Sequence, residues 1–297
     1  MKPGKPSNTA LIVAAGLQLV RPEAAVLPLL PGDAIRRGAS VLAAASPRLA
    51  GLLRKGLFRA TCHLLERATL PGTCLHFALR KRALRVHARA AMAAGCRQVV
   101  VLGAGLDTLC MELLADYPAL CCIEIDHPAS QAVKRRAAGA GGRGVHYLGA
   151  DLAQQPLAPL LASCPAFRAG VPTLFVAEGL LMYVPLDAVA ALFGQMAVAA
   201  PACSAAFTWL EPQADGRPNF SRPSALVDGW LKLRGEPFLS GVARAELAGF
   251  LRAADFVLDG VSDSVDQLGE AQRAALAPAH LPLAGEYIGL AHALARA

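Results

Sequence analysis

The sequence predicts an α/β protein built on a doubly wound, mostly parallel sheet with helices on both faces. Three observations predict it. From residue 98 onward, short apolar runs alternate with longer helical segments. The first run, Val99 to Leu102, feeds directly into the turn Gly103-Ala104-Gly105, which has almost no side chain. Acidic residues then follow successive runs, at Asp107, Asp126, Asp151 and Glu178. In an open parallel sheet the carboxyl ends of the strands face one crevice, so these four acids are expected to share a site.

Taken in order, Met1 to Asn8 reads as a flexible arm. Thr9 to Val20 suits a short helix capped by Asn8 or Thr9. Pro22, Pro28 and Pro31-Gly32 break the chain into loops. Ile35 to Ala68 is largely helical, with Pro47 opening a second helix, and Cys74 to Ala94 is a long amphipathic helix carrying Arg80, Lys81, Arg82, Arg85 and Arg89. Strands are expected at Val99 to Leu102, Leu120 to Ile125, Val145 to Leu148, Pro172 to Ala177, Ala202 to Leu210, Phe256 to Gly260 and Glu286 to His292. Helices are expected at Thr108 to Asp116, Ala129 to Ala138, Pro185 to Ala200 and Ala243 to Ala253. Glu211 to Ser240 is rich in Pro, Gly, Arg and Asp, and too long for an ordinary connection; it reads as a cap. The expected organisation is therefore an N-terminal helical segment (1–94), an α/β core (95–210), a cap (211–242) and the rest of the core (243–297).

Composition narrows the function. Hydrophobic residues make up 55% of 297, enough for a large core, whereas 5% aromatic argues against base stacking on nucleic acid. The net charge of +7 is uneven: residues 1–97 hold 16 Lys and Arg against 3 acids, and residues 98–297 hold 13 against 19. Such a basic segment attracts acidic partners or simply forms a solvated surface. The eight cysteines make no Cys-x-x-Cys pair, so reduced core thiols are expected, with no metal and no disulfide. No apolar run is long enough to span a membrane. Thr9 to Val20, after Lys2 and Lys5, mimics a signal peptide but lacks a convincing cleavage site before Arg21-Pro22, so a cytoplasmic location is expected.

The glycine turn followed by Asp126 at the next strand tip is a nucleoside-binding arrangement, since a carboxylate there accepts from two ribose hydroxyls. The glycine pair alone would also serve as a plain tight turn; the spacing to Asp126 is what adds weight. A dinucleotide site would place a third glycine where Thr108 stands, and its pyrophosphate would meet Asp107. S-adenosylmethionine carries an ammonium and a sulfonium, which an acidic turn suits better.

The motifs VVVLGAGLDT, IEIDHP with Lys134 eight residues after Asp126, Gly149-Ala150-Asp151-Leu152, and AEGLLMYVP from Ala177 to Pro185 together resemble the leucine carboxyl methyltransferase family. Those proteins are class I S-adenosylmethionine-dependent methyltransferases, with a seven-stranded Rossmann-like sheet, and include bacterial polyketide O-methyltransferases. Ser7-Asn8-Thr9-Ala10 and Gly235-Glu236-Pro237-Phe238 extend the likeness to most of the chain. The resemblance implies that Arg80, or Arg82 in its place, holds the cofactor carboxylate. It implies that Gly103, Ala104 and Gly105 approach the cofactor and that Asp126, helped by Glu124, holds the ribose. Asp151 and Leu152 would line the adenine, Glu178 would sit near the methionine end, and Tyr183 would border the acceptor pocket. Glu112, where the family often has an arginine, and Leu17-Gln18, where it often has Arg-Ala, depart from the pattern. The activity implied is methyl transfer to a carboxylate or hydroxyl oxygen of a small molecule, yielding S-adenosylhomocysteine. The alternatives are a non-catalytic binder of the same cofactor or a protein carboxyl methyltransferase. No nucleic-acid or membrane partner is expected, and the sequence leaves the oligomeric state open. It names no catalytic base, although a phenol acceptor would need one, for which His127 and Tyr183 are candidates.

Overall fold

A computed structural model describes residues 7–21 and 23–294; residues 1–6 of the expected arm and the break at Pro22 lie outside the described residues, while Ser7 and Asn8 of that arm open the first helix. The chain begins with five helices: α1 (Asn8–Leu19), α2 (Gly32–Ala45), α3 (Pro47–Leu53), α4 (Gly56–Thr69) and α5 (Thr73–Ala93). Ser7, not Asn8 or Thr9, caps α1: its Oγ accepts from Ala10 N at 3.2 Å. The stretch read as two helices over residues 35–68 is three, because the chain turns again at Arg54-Lys55 before Gly56.

The core then alternates as β1 (Gln98–Leu102), α6 (Leu109–Asp116), β2 (Cys121–Asp126), α7 (Pro128–Ala138), β3 (Val145–Gly149), α8 (Leu157–Ala162), β4 (Thr173–Ala177), α9 (Leu186–Ala199) and β5 (Cys203–Leu210). Helix α10 (Ala225–Arg234) lies within residues 211–242. The chain closes with α11 (Arg244–Ala253), β6 (Phe256–Asp263), α12 (Glu270–Ala275) and β7 (Glu286–Ala293). Helices α8, α10 and α12 are additions to the sequence reading.

The seven strands form one sheet in the order β3-β2-β1-β4-β5-β7-β6. The pairs from β3 across to β5 are parallel, and β7 runs antiparallel between β5 and β6. Alternation along each strand splits the core in two. Val99 and Val101 join Leu174 and Val176 under α5 and α6, while Val100 and Leu102 join Phe175 and Ala177 under α8 and α9. Burial on both faces is what the unbroken apolar runs demanded. A third apolar cluster holds α1 to α5 together through Leu17, Leu42, Leu53 and Phe77. The strand order reverses between β1 and β4, and the crevice beyond their carboxyl ends is where open α/β sheets bind ligands.

Candidate functional site

At that crevice lies a cavity of about 1340 Å³, bounded by the strand ends, helix α1 and the 211–242 segment. It exceeds the roughly 300–1,000 Å³ common for a site that takes one drug-sized ligand. The turn after β1 forms its floor. Gly103 has φ +63° and Gly105 φ +49°, a region that side-chain-bearing residues adopt at a cost. A Cβ on Gly103 would sit 2.8 Å from Leu180 Cδ1, and one on Gly105 would sit 3.1 Å from Ala10 Cβ. The turn is thus a bare cradle, with Ala104 between the glycines also lining the cavity.

Asp126, at the tip of β2, accepts from Gly105 N at 2.6 Å and from His127 N at 2.6 Å. These bonds go to the chain's own backbone, but they use two of roughly four acceptor positions on a carboxylate. The others stay open to a ligand in the cavity that Asp126 lines. Burial raises its pKa, and the two N–H bonds only partly offset that. Asp151 and Leu152, past β3, line the same cavity. One Asp151 oxygen accepts from Ala153 N at 3.1 Å, which fixes the turn and leaves the second oxygen for a donor such as an exocyclic amine.

Glu178, past β4, belongs to a buried ion cluster. Arg80 donates through Nε to Glu178 at 3.1 Å and through Nη1 to both oxygens of Glu286, at 3.0 and 2.8 Å. Its Nη2 makes none of these bonds and faces Gly179, whose added Cβ would lie 3.5 Å away. Lys81 bridges Asp107 at 2.8 Å and Glu178 at 3.1 Å. Arg85 binds Glu112 through two nitrogens, each at 2.8 Å, and Asp107 at 2.9 Å. Burial alone would push Glu286 up, but Arg80 and the His76 bond outweigh it and hold its carboxyl at about 2. Burial likewise opposes ionisation of Asp107, and Arg85 and Lys81 hold it well below the usual carboxylate range. The cluster sets Arg80, Lys81 and Arg85, with His76 on Glu286 at 2.6 Å, against Asp107, Glu112, Glu178 and Glu286.

The far wall comes from the 211–242 segment. Glu236 accepts from Asn8 N and Thr9 N, each at 3.2 Å, and from the Thr9 hydroxyl, so it closes the segment onto the N-terminus of α1. Leu239 N donates to Met182 O at 2.7 Å. Tyr183 lines the cavity and packs on Phe238, ring centroids 5.5 Å apart. Burial pushes the Tyr183 phenol far up, so at neutral pH it is a hydrogen-bond donor and a poor base.

Three expectations need correction. Glu124 does not reach the cavity: it lies two residues below the strand tip, about 7 Å deeper. There it is 1% exposed and paired with Lys134 at 2.8 Å. Arg82 points elsewhere, donating to Gln267 at 2.9 Å, so Arg80 is the arginine at the site. Asp107 lines the cavity as expected, but not as a free acid, because Lys81 and Arg85 neutralise it. Lys134 also donates to Asp107 O and so ties the glycine turn to β2 from beneath. Lys81, Arg85, His76, Glu286 and Glu236 were given no role in the site by the sequence. The four-residue spacing of Lys81 and Arg85 on one helix face was the available signal.

Comparison with known proteins identifies a family. The family profile described as leucine carboxyl methyltransferase matches residues 42–197. A protein of Mycolicibacterium gilvum is 33% identical over 214 residues, covering 61% of this chain and 66% of its own length. One from Streptomyces coelicolor is 40% identical over 124 residues, 39% of each chain. Both carry the provisional name S-adenosyl-L-methionine-dependent methyltransferase. The chain spans between 37% and 66% of the length of the curated relatives it matches. In structure it is similar to a Thermobifida fusca protein provisionally described as a methyltransferase. The TM-score is 0.58 at 18% identity, covering 86% of this chain and 94% of the other. A duf574 family protein from Streptomyces avermitilis gives a TM-score of 0.55 at 16% identity, covering 89% and 91%.

Proposed function

Because the chain belongs to the leucine carboxyl methyltransferase family, we propose that it moves a methyl group from S-adenosyl-L-methionine to a carboxylate or hydroxyl oxygen of a small molecule. One observation carries the reading. A single cavity joins the glycine cradle and strand-end acids to an apolar space under the 211–242 segment, with volume for both a cofactor and an acceptor.

The residues present fit the cofactor. Gly103, Ala104 and Gly105 let backbone approach the adenosyl group, and Asp126 accepts from the ribose hydroxyls with its open lone pairs. Asp151 accepts from the adenine amine, beside Leu152. Arg80 Nη2 is the donor available for the cofactor carboxylate, and the Glu178 carboxylate that lines the cavity suits the ammonium. The bound cofactor supplies an electrophilic methyl on sulfonium, whose bond to sulfur breaks as the acceptor oxygen attacks. The protein's part is to align that oxygen and exclude water. A carboxylate acceptor is already ionised and needs no base, and the phenol of Tyr183 suits a hydrogen bond to the acceptor. We read residues 211–242 as a cap that seals this space. The eight free thiols suit a reducing compartment, and we place the protein in the cytoplasm.

The test is calorimetry with S-adenosylhomocysteine, followed by transfer of labelled methyl to a panel of carboxylic and hydroxylic metabolites. Alkali-labile product identifies an ester, alkali-stable product an ether. Absence of S-adenosylhomocysteine binding by the folded protein refutes the reading, and binding without transfer across the panel favours a non-catalytic binder.

A further inference from the structure

Helix α1 lies in the wrong surroundings for its sequence. NTALIVAAGLQL is apolar almost all round, and such a helix is normally buried on every side. Here four of its twelve residues are buried, Ala14, Gly16, Leu17 and Leu19. The cavity runs along the helix, from Thr9 at the cofactor end to Leu19 at the other, and the four buried residues line it as well. Twelve residues of helix span about 18 Å. This wing continues the cofactor cleft without a wall between them, and it runs between α1, α3 and α4 past Leu11, Ala15, Leu19, Leu49, Cys62 and Leu65.

Two further observations define what belongs there. The polar groups of the wing are already satisfied within the chain. Glu66 accepts from Cys74 N at 2.9 Å, Thr69 donates to Leu65 O at 2.7 Å, and Thr73 donates to Leu70 O at 2.6 Å. No buried, unpaired polar atom among the described residues faces the wing, so nothing in it asks for a polar ligand. Its outer wall is thin. Helix α4 has no buried residue, and Leu57, Leu64 and Leu65 are 84%, 68% and 57% exposed. A wall that packs so little leaves room for a guest beneath it.

We propose that this wing holds the aliphatic tail of the methyl acceptor, so that the acceptor is a long-chain acid or a molecule with an equally long apolar arm. The proposal rests on the methyl-transfer reading above and names the substrate class of that same site. The tail lies along α1, and its oxygen-bearing head reaches the cradle between Tyr183 and Arg80.

The test uses the full chain with saturated fatty acids from hexanoate to hexadecanoate, displacing the fluorescent probe 1-anilinonaphthalene-8-sulfonate. Affinity is expected to rise about fourfold per methylene and to level off once the chain outruns the length of α1. Cys62→Phe, which fills the wing from α4, is expected to weaken the longer acids about 15-fold, the effect of two displaced methylenes. It should leave S-adenosylhomocysteine affinity unchanged. If Cys62→Phe does not fold, Leu65→Trp at the exposed rim serves the same purpose. Normal S-adenosylhomocysteine binding with no dependence on chain length overturns the tail proposal and leaves methyl transfer intact. A concentration-dependent dimer whose formation abolishes probe binding would mean that a second copy covers this face, and it overturns the proposal too. Absence of S-adenosylhomocysteine binding in the wild type removes the parent reading, and the acceptor assignment falls with it.

Discussion

Asp126→Ala is the substitution that bears most directly on the site. The wild-type carboxylate spends one acceptor position on Gly105 N and one on His127 N, each at 2.6 Å, and leaves the others for the proposed ribose contact. Alanine leaves two bound hydroxyls facing a methyl group. Stranding such donors costs about 1–3 kcal/mol, or roughly a 5- to 150-fold loss of affinity for S-adenosylhomocysteine. Folding should suffer less than binding. Burial opposes the charge of Asp126, so its removal relieves a desolvation cost while two backbone N–H groups turn to water in the cavity. The same argument gives a pH dependence. Because the carboxyl pKa is raised, cofactor affinity should weaken on acidification sooner than an ordinary aspartate would make it. Asp126→Asn is the control: its NH₂ faces a backbone N–H donor, so it should lose affinity and some stability as well. Calorimetry and thermal unfolding on the three proteins decide the matter. An alanine variant with wild-type melting and wild-type affinity, over the same pH range, refutes the ribose assignment.

Gly103→Ala forces a side chain into φ +63° and against Leu180; equilibrium urea unfolding should show about 1–3 kcal/mol of destabilisation, even if the leucine shifts. Glu286 has a depressed pKa, so its stabilisation is complete above about 4.5 and is lost as pH falls towards about 2. The wild type should therefore lose about 3 kcal/mol between those limits. Glu286→Gln should flatten that acid limb while destabilising the neutral protein, since Arg80 is left short of a partner; urea midpoints across the acid range test both. Glu236→Gln turns one of the two oxygens that accept from the first turn of α1 into a donor and should cost about 1–2 kcal/mol, read as faster proteolysis within residues 211–242.

The sheet was legible because its signal is local. Val99 to Leu102 needs only its own side chains to read as a strand buried on both faces, and the strand-end acids follow from their place in the sequence. Helices α8 and α12 escaped notice because six residues are too few to express a helical period. The cradle and Asp126 were legible through spacing, whereas the ion cluster was not. Arg80 and Glu286 are 206 residues apart, and nothing near either one announces the other. Glu124 misled for the opposite reason: alternation puts it on the same strand face as Asp126, and depth along the strand, which sequence does not display, separates them.

The closure of α1 by Glu236 has a consequence for how the protein is made. The first turn of α1 finds its acceptor 228 residues later, at Glu236. During synthesis, therefore, this apolar helix leaves the ribosome long before the group that anchors it exists. At about 5–20 residues per second, that interval is some ten to fifty seconds. For that time the apolar surface of α1 is without the contact that fixes its first turn. Trigger-type chaperones and targeting factors should crosslink to nascent chains that end before residue 236 and release those that extend beyond it.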